Sequence, residues 1–116
     1  EGYVTYSNEA KEKNLGVSHE VLEACGAVSE QTARQMAEGV RRRGEADYGV
    51  ATTGIAGPDG GTAEKPVGLV YIACAHAAGT QVERHVFSGD RTRVRTQAAE
   101  RALALLEECM AKEQSL

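Results

Sequence analysis

Three stretches of this 116-residue chain carry groups that chemistry can use. The first is Lys11, one turn into a helix that follows a strand end, with Tyr6 and Ser7 just upstream. A lysine partly desolvated at such a place gives up its proton more readily and can act as a base. The ordinary alternative is a solvated lysine in a first helical turn. The second stretch is Thr52-Thr53-Gly54-Ile55-Ala56-Gly57-Pro58-Asp59-Gly60-Gly61, which opens at the carboxyl end of the apolar run Tyr48–Ala51. Its glycines keep side chains away, so that backbone N–H groups can converge on an anion or a substrate carbonyl, and its two threonines add hydroxyls. The spacing fits neither a Walker loop, which ends in Gly-Lys-Ser/Thr, nor the dinucleotide fingerprint, because no helix pattern follows Gly57. Two readings stay open: a binding loop, or a long hairpin connection that turns at Pro58-Asp59-Gly60-Gly61. The third stretch holds Arg91 and Arg95, four apart at a helix N-terminus, where the helix dipole and the guanidinium forks can both hold an anion. Arginines there oppose the dipole preference, which points to a phosphate; pairing with Asp90 and Glu100 is the alternative. Taken together, a lysine, a strand-end loop and an arginine anchor point to a phosphorylated small molecule.

The elements that must position these groups follow from hydrophobic period and capping residues. Tyr3-Val4-Thr5-Tyr6 alternates as a strand does and runs into a short helix that Asn8 can cap and Gly16 can stop. Ser18 starts a second short helix, which Gly26 ends. Ser29 caps a longer helix through about Arg43, with Ala33, Met36, Ala37 and Val40 on its buried face. Gly44 ends that helix, and the strand beginning at Tyr48–Val50 reads as the helix-to-strand step of a parallel sheet. After the glycine loop, Val67–Ala75 is a continuous apolar run, the signature of a central strand covered on both faces. Gly79 turns the chain into an antiparallel strand over Gln81–Phe87. A last helix over residues 92–112, capped by Asp90 or Ser88, sets Val94, Ala98, Ala102, Leu105, Leu106 and Cys109 on one side. Residues 113–116 read as a frayed tail. The expected fold class is α/β, with one domain over residues 1–116 and a mixed sheet.

Composition narrows the function classes. A hydrophobic content of 41% supplies an ordinary core. Thirteen Lys+Arg against seventeen Asp+Glu give a net charge of −4, and Arg41-Arg42-Arg43 is the only basic block, so nucleic acid is not the expected partner. There is no apolar run of membrane-spanning length and no leader pattern at Glu1-Gly2-Tyr3, so a cytoplasmic protein without a membrane partner is expected. Cys25, Cys74 and Cys109 are odd in number and far apart, as reduced buried thiols are, and His19, His76 and His85 lack ligand spacing; no metal or cofactor is expected. The chain has no starting Met and begins as though inside a strand, which sets the expectation that it is truncated at its N-terminus.

Five ordered stretches resemble the CinA carboxy-terminal domain family: Tyr6-Ser7-Asn8-Glu9-Ala10-Lys11, Gly26-Ala27-Val28-Ser29-Glu30, Thr53 to Gly61, Glu64-Lys65-Pro66-Val67-Gly68 and Phe87-Ser88-Gly89-Asp90-Arg91. That family includes nicotinamide-nucleotide amidases. The resemblance implies a single-domain α/β/α sandwich that hydrolyses the carboxamide of nicotinamide mononucleotide (NMN), without a metal, to nicotinate mononucleotide and ammonia. It implies Lys11 as the base, Tyr6 as a nearby hydroxyl, Thr53, Gly54, Ile55, Ala56 and Gly57 as substrate or oxyanion contacts, and Arg91 or Arg95 as the phosphate anchor. The family's nucleophile is a serine in a Glu-Ser-Cys-Thr-Gly-Gly motif one helix and one strand upstream of the Tyr-Ser-Asn motif, and the motif does not occur in these residues. Two other classes compete: a nucleotide-binding or regulatory module without turnover, and a structural interaction domain without a ligand. An exposed sheet edge implies either an upstream segment or a homo-oligomer, with a dimer as the first expectation.

Overall fold

The computed structural model describes residues 1–114. Its layers follow from one strand. The apolar run expected at Val67–Ala75 forms β2, Leu69–His76, and pairs on either side with β1, Gly49–Gly54, and β3, Gly79–Val86. Because β2 alternates faces, Tyr71, Ala73 and Ala75 point into one core and Val70, Ile72 and Cys74 into another. An apolar strand with two buried faces requires a helical layer on each. The first core is closed by α3, Glu30–Arg43, through Ala33, Met36 and Ala37, with the short helices α1, Asn8–Leu15, and α2, His19–Cys25, adding Leu15 and Leu22. The second is closed by α4, Arg91–Gln114, through Val94, Ala98, Ala102, Leu105 and Cys109. The α/β/α sandwich is therefore as expected.

Among the described residues the sheet is antiparallel rather than mixed. Gly49 pairs Ala75 and Leu69 pairs Val86 in registers that are antiparallel throughout the three described strands. The step from α3 to β1 leads to no parallel neighbour among the described residues, where β1 pairs with β2 alone, across the long hairpin that the glycine loop makes. The strand expected at Tyr3–Tyr6 carries no regular structure: a strand exists through its ladder, and this segment has no partner among the described residues.

Caps set the helix starts. The Ser7, Ser18 and Ser29 hydroxyls accept from the backbone N–H groups of Ala10, Val21 and Thr32, so Ser7 caps α1 where Asn8 was expected. Asp90 caps α4, its carboxylate accepting from Arg93 N at 2.9 Å. This helix runs through Gln114, two residues into the expected frayed tail, and the rest of that tail lies outside the described residues. All three cysteines are free, and burial together with the neighbouring Cys109 pushes the Cys74 thiol up to about 12, an inert core position. No helix among the described residues is long and apolar enough to cross a membrane.

Leu105 is fully buried under the sheet, whereas Leu103, on the same helix, is 64% exposed. Leu105→Ala is expected to cost about 2–5 kcal/mol in chemical denaturation and Leu103→Ala less than about 0.5 kcal/mol. Comparable losses at both positions would contradict this packing of α4. Arg101 fastens α4 to β3 through Glu83, with guanidinium-to-carboxylate distances of 2.7 and 2.6 Å. That pairing, with His85 as a lesser partner, holds the Glu83 carboxyl down from 4.5 to about 2. Between those values the unfolded chain binds more protons than the folded one, so the contribution is present above the ordinary carboxylate pKa and is lost as the pH falls toward 2. Acid unfolding of Glu83→Gln should show a shallower pH slope between about 5 and 2 than the parent; an unchanged slope would remove Glu83 as the titrating group.

Candidate functional site

Among the described residues Lys11 is the only charged side chain that is buried, at 7% exposure. The Ser7 cap is the local cause: Ser7 C=O accepts from Lys11 N at 3.1 Å, which starts the helix early enough to turn Lys11 inward on its first turn. Its Nζ donates to the Thr5 carbonyl at 2.7 Å, and no carboxylate lies within ion-pair reach among the described residues. Burial lowers its pKa from the usual lysine value. A lysine that is largely buried and has one neutral acceptor gives up its proton more readily than a solvated one.

Lys11 looks into a cleft of about 410 Å³ bounded by Tyr6, Ala27, Val28 and the β1 residues Thr52–Gly54. Across β1 a second cleft, of about 340 Å³, is bounded by Ala56, Arg91 and Arg95. The two share Val4, Tyr6, Thr52 and Gly54. A third, of about 240 Å³, continues backward between Gly2–Tyr3 and Val50–Thr52. All three lie along the edge of β1 that β2 leaves unpaired. Residues 1–3 share a cleft with 50–52, and residues 3–6 with 52–54, so the N-terminal segment runs alongside β1 in the same direction with open space between them.

The structure thus brings Lys11, Tyr6 and both arginines to one edge, from opposite faces of the sheet. Tyr6 stands 91% exposed at the mouth common to both clefts. Arg91 donates to the Gly57 carbonyl at 3.1 Å and so ties the glycine loop to the start of α4. Arg95 has no carboxylate partner among the described residues: Asp90 is occupied by its cap, and neither arginine pairs with Glu100.

Within the glycine loop the residues divide differently from expectation. Thr53 is buried and its hydroxyl donates to the Ala27 carbonyl at 2.6 Å, a structural strut. The Ile55 N–H is engaged by Leu69 O at 2.9 Å and its carbonyl by Gly68 N at 2.7 Å, which takes Ile55 out of the set of oxyanion donors and leaves Gly54, whose N–H points away from β2, with Ala56 and Gly57. The loop is therefore also the hairpin connection of the alternative reading, drawn tight by ladder bonds at Ile55. The residue left off the site set is Thr52, which lines all three clefts with an exposed side chain. Strand alternation is the signal that separates it from Thr53: adjacent residues point to opposite faces, and only one of the two can face the α3 core. Among the described residues no group of three or more His, Cys, Asp or Glu side chains is placed to hold a metal.

Gly54 is required by packing more than by ligand approach. A Cβ there would stand 2.7 Å from both Leu69 O and Val70 Cγ2 of the neighbouring strand. Gly54→Val is accordingly expected to destabilise the fold by about 1–3 kcal/mol or more in a denaturant melt followed by circular dichroism. A variant with parental stability would show that the strand accommodates the side chain and return Gly54 to the ligand-contact set.

Comparisons with known proteins bear on the family and the fold. The family model described as the CinA C-terminal domain matches residues 1–110. A CinA-like protein of Anaeromyxobacter sp. (strain K) is 58% identical over 105 residues, which is 90% of this chain and 26% of that protein. The chain spans about a quarter of the length of the curated relatives it matches. Among solved structures, the competence/damage inducible protein CihA from Agrobacterium tumefaciens superposes with a TM-score of 0.85 at 48% identity, covering 92% of this chain and 66% of that one. A CinA superfamily protein from Klebsiella pneumoniae 700603 superposes with a TM-score of 0.89 at 38% identity, covering 94% of this chain and 68% of that one.

Proposed function

The chain belongs to the CinA C-terminal domain family, and on that premise we propose that it forms the lysine and phosphate-anchor part of a nicotinamide-nucleotide amidase acting on NMN. The observation that carries the reading is the pairing of a buried lysine with an unpaired arginine at two clefts that share one mouth. A base wants a dry environment, which favours its neutral form; a phosphate anchor wants a cation that no carboxylate has claimed. Nicotinamide mononucleotide carries a carboxamide at one end and a phosphate at the other, and each end finds its partner.

In this reading the nucleophile is a serine hydroxyl presented by an extended segment lying in the open space between Tyr3–Tyr6 and β1. Lys11 Nζ, neutral, takes the serine proton as the oxygen attacks the carboxamide carbon. The negative charge that develops on the carbonyl oxygen is held by backbone N–H groups of the glycine loop, with Gly54, Ala56 and Gly57 the available donors. The Lys11 ammonium then returns the proton to the departing amine, and ammonia leaves an acyl-enzyme. A water, deprotonated by Lys11, hydrolyses the ester to nicotinate mononucleotide and regenerates the serine. Arg95, and Arg91 after it, holds the phosphate throughout. A binding module without turnover is the second reading, favoured by the observation that no serine among the described residues lines either cleft.

The test is kinetic. In a preparation that turns over NMN, Lys11→Met should lower kcat by about a thousandfold or more, since an activated nucleophile loses its base, while the dissociation constant stays within about twofold. Arg95→Ala should instead raise KM by about tenfold or more with a smaller change in kcat, because a phosphate contact acts in the ground state as well. Ordinary turnover in Lys11→Met would remove Lys11 from the mechanism. Calorimetric binding of NMN by a protein of confirmed intact mass that produces no ammonia would establish the binding module instead.

A further inference from the structure

Two of the five family-like stretches, Gly26–Glu30 and Glu64–Gly68, have no part in the chemistry above, yet they meet in space. Lys65 Nζ donates to the Cys25 carbonyl at 2.7 Å, immediately before the first stretch. The contact borders a cavity of about 530 Å³ on the α3 face of the sheet, within the size range of small-molecule sites. We propose that this cavity is a second ligand site, separate from the Lys11 cleft, which takes a small organic anion bearing a phosphate or a carboxylate, with Lys65 and Arg84 as its cationic contacts.

The case rests on preorganisation and on uncompensated charge. Lys65 is fixed at both ends: Thr62 N donates to its carbonyl at 2.8 Å, its own N–H donates to Thr62 Oγ1 at 3.0 Å, and its side chain is held at Cys25. An ammonium has three donors, and one is engaged, so two remain for a ligand. Arg84 stands directly across the β2–β3 ladder from Tyr71, on the same face, and neither side chain has a polar partner among the described residues. Two carboxylates also border the cavity, but each is answered elsewhere. Glu30 pairs with Arg34 at 3.6 Å, and Glu83 pairs with Arg101 at 2.6 Å on the opposite face of the sheet. Two cations without counter-ions therefore converge, in a chain whose net charge is −4. Val28 and Val82 give the cavity apolar walls, which suit an organic anion better than a bare ion.

The partition from the Lys11 cleft is built in. Val28 borders both spaces, and the segment carrying it is pinned by consecutive carbonyls: Cys25 O by Lys65, Gly26 O by Thr32 Oγ1 at 2.7 Å, and Ala27 O by Thr53 Oγ1 at 2.6 Å. Occupancy of the second site would press on a strut shared with the first, the physical condition for coupling between two ligands. The proposal does not rest on the amidase reading, since neither Lys65 nor Arg84 is used there.

Titration of the ¹⁵N-labelled protein with inorganic phosphate at constant ionic strength, followed by amide chemical shifts, tests it. Saturable shifts are expected in residues 25–31, at Lys65 and at Arg84. Lys65→Gln and Arg84→Gln should each weaken that binding by about tenfold, the worth of one charge-assisted hydrogen bond. Arg84 is exposed and unpartnered, so Arg84→Gln remains informative if Lys65→Gln disturbs the fold. A parallel titration with acetate separates the sources: tighter phosphate binding assigns a phosphorylated ligand, and tighter acetate binding a carboxylate. Shifts that never saturate, shifts confined to the surroundings of Arg91 and Arg95, or equal affinity in Arg84→Gln and parent would overturn the proposal.

Discussion

The whole arrangement depends on β2 being apolar on both faces. Ile72, Ala73 and Cys74 are fully buried on alternate sides, so water must be excluded from both, and helices must cover both. That requirement separates the functional groups. α1 rides on the layer that α3 builds and carries Lys11 to one face, while α4 covers the other and carries Arg91 and Arg95. A central strand cannot offer a passage between the two faces. Only at the unpaired side of β1, where the sheet stops, do the two sets of groups share space.

The same edge divides the site by solvation. Lys11 is held in a dry environment by the sheet and by the first turn of α1, and its one polar contact is a neutral carbonyl. Arg91 and Arg95 stand in water at the start of α4, where a guanidinium keeps its charge under all ordinary conditions. An arginine at the Lys11 position would stay charged and could not serve as a base. A lysine at the Arg95 position would give one point charge where a planar fork can hold two oxygens. The residue types thus match the two environments that the layers create.

The segment joining α2 to α3 shows how few hydrogen bonds suffice to fix a boundary between cavities. Three consecutive carbonyls are held by side chains from three parts of the chain: Lys65 after the glycine loop, Thr32 in α3 and Thr53 in β1. Each tie crosses at most two layers, and together they couple the glycine-loop hairpin to the α3 layer. Buried polar groups are costly when unpaired, and no buried side-chain nitrogen or oxygen among the described residues lacks a partner. This explains why Thr53, which the family resemblance implies as a substrate contact, serves the framework: its hydroxyl faces the α3 core, and burial obliges it to find an acceptor.

Local chemistry was legible wherever neighbours in the chain set the outcome. The caps at Ser18 and Ser29, the glycine stops at Gly16 and Gly26, the buried faces of α3 and α4, and the apolar run of β2 all follow from residue type and period, because the interactions that select them span at most a few residues, whereas the α1 cap fell one residue earlier than expected, on Ser7. The resemblance of five short stretches identified the family for the same reason, since each stretch is a local constraint. Strand pairing was not legible. The parallel sheet inferred from the α3-to-β1 step failed because a ladder depends on a partner far along the chain, and the apolar pattern of β1 is the same whichever partner it has. The sequence by itself determined which residues could serve as base, anchor and loop. Only the tertiary structure decided that Lys11 is buried, that Arg95 lacks a carboxylate among the described residues, that the Ile55 N–H is engaged and that Thr52 faces the clefts. Solvation and pairing are properties of the space around a side chain, which distant segments build.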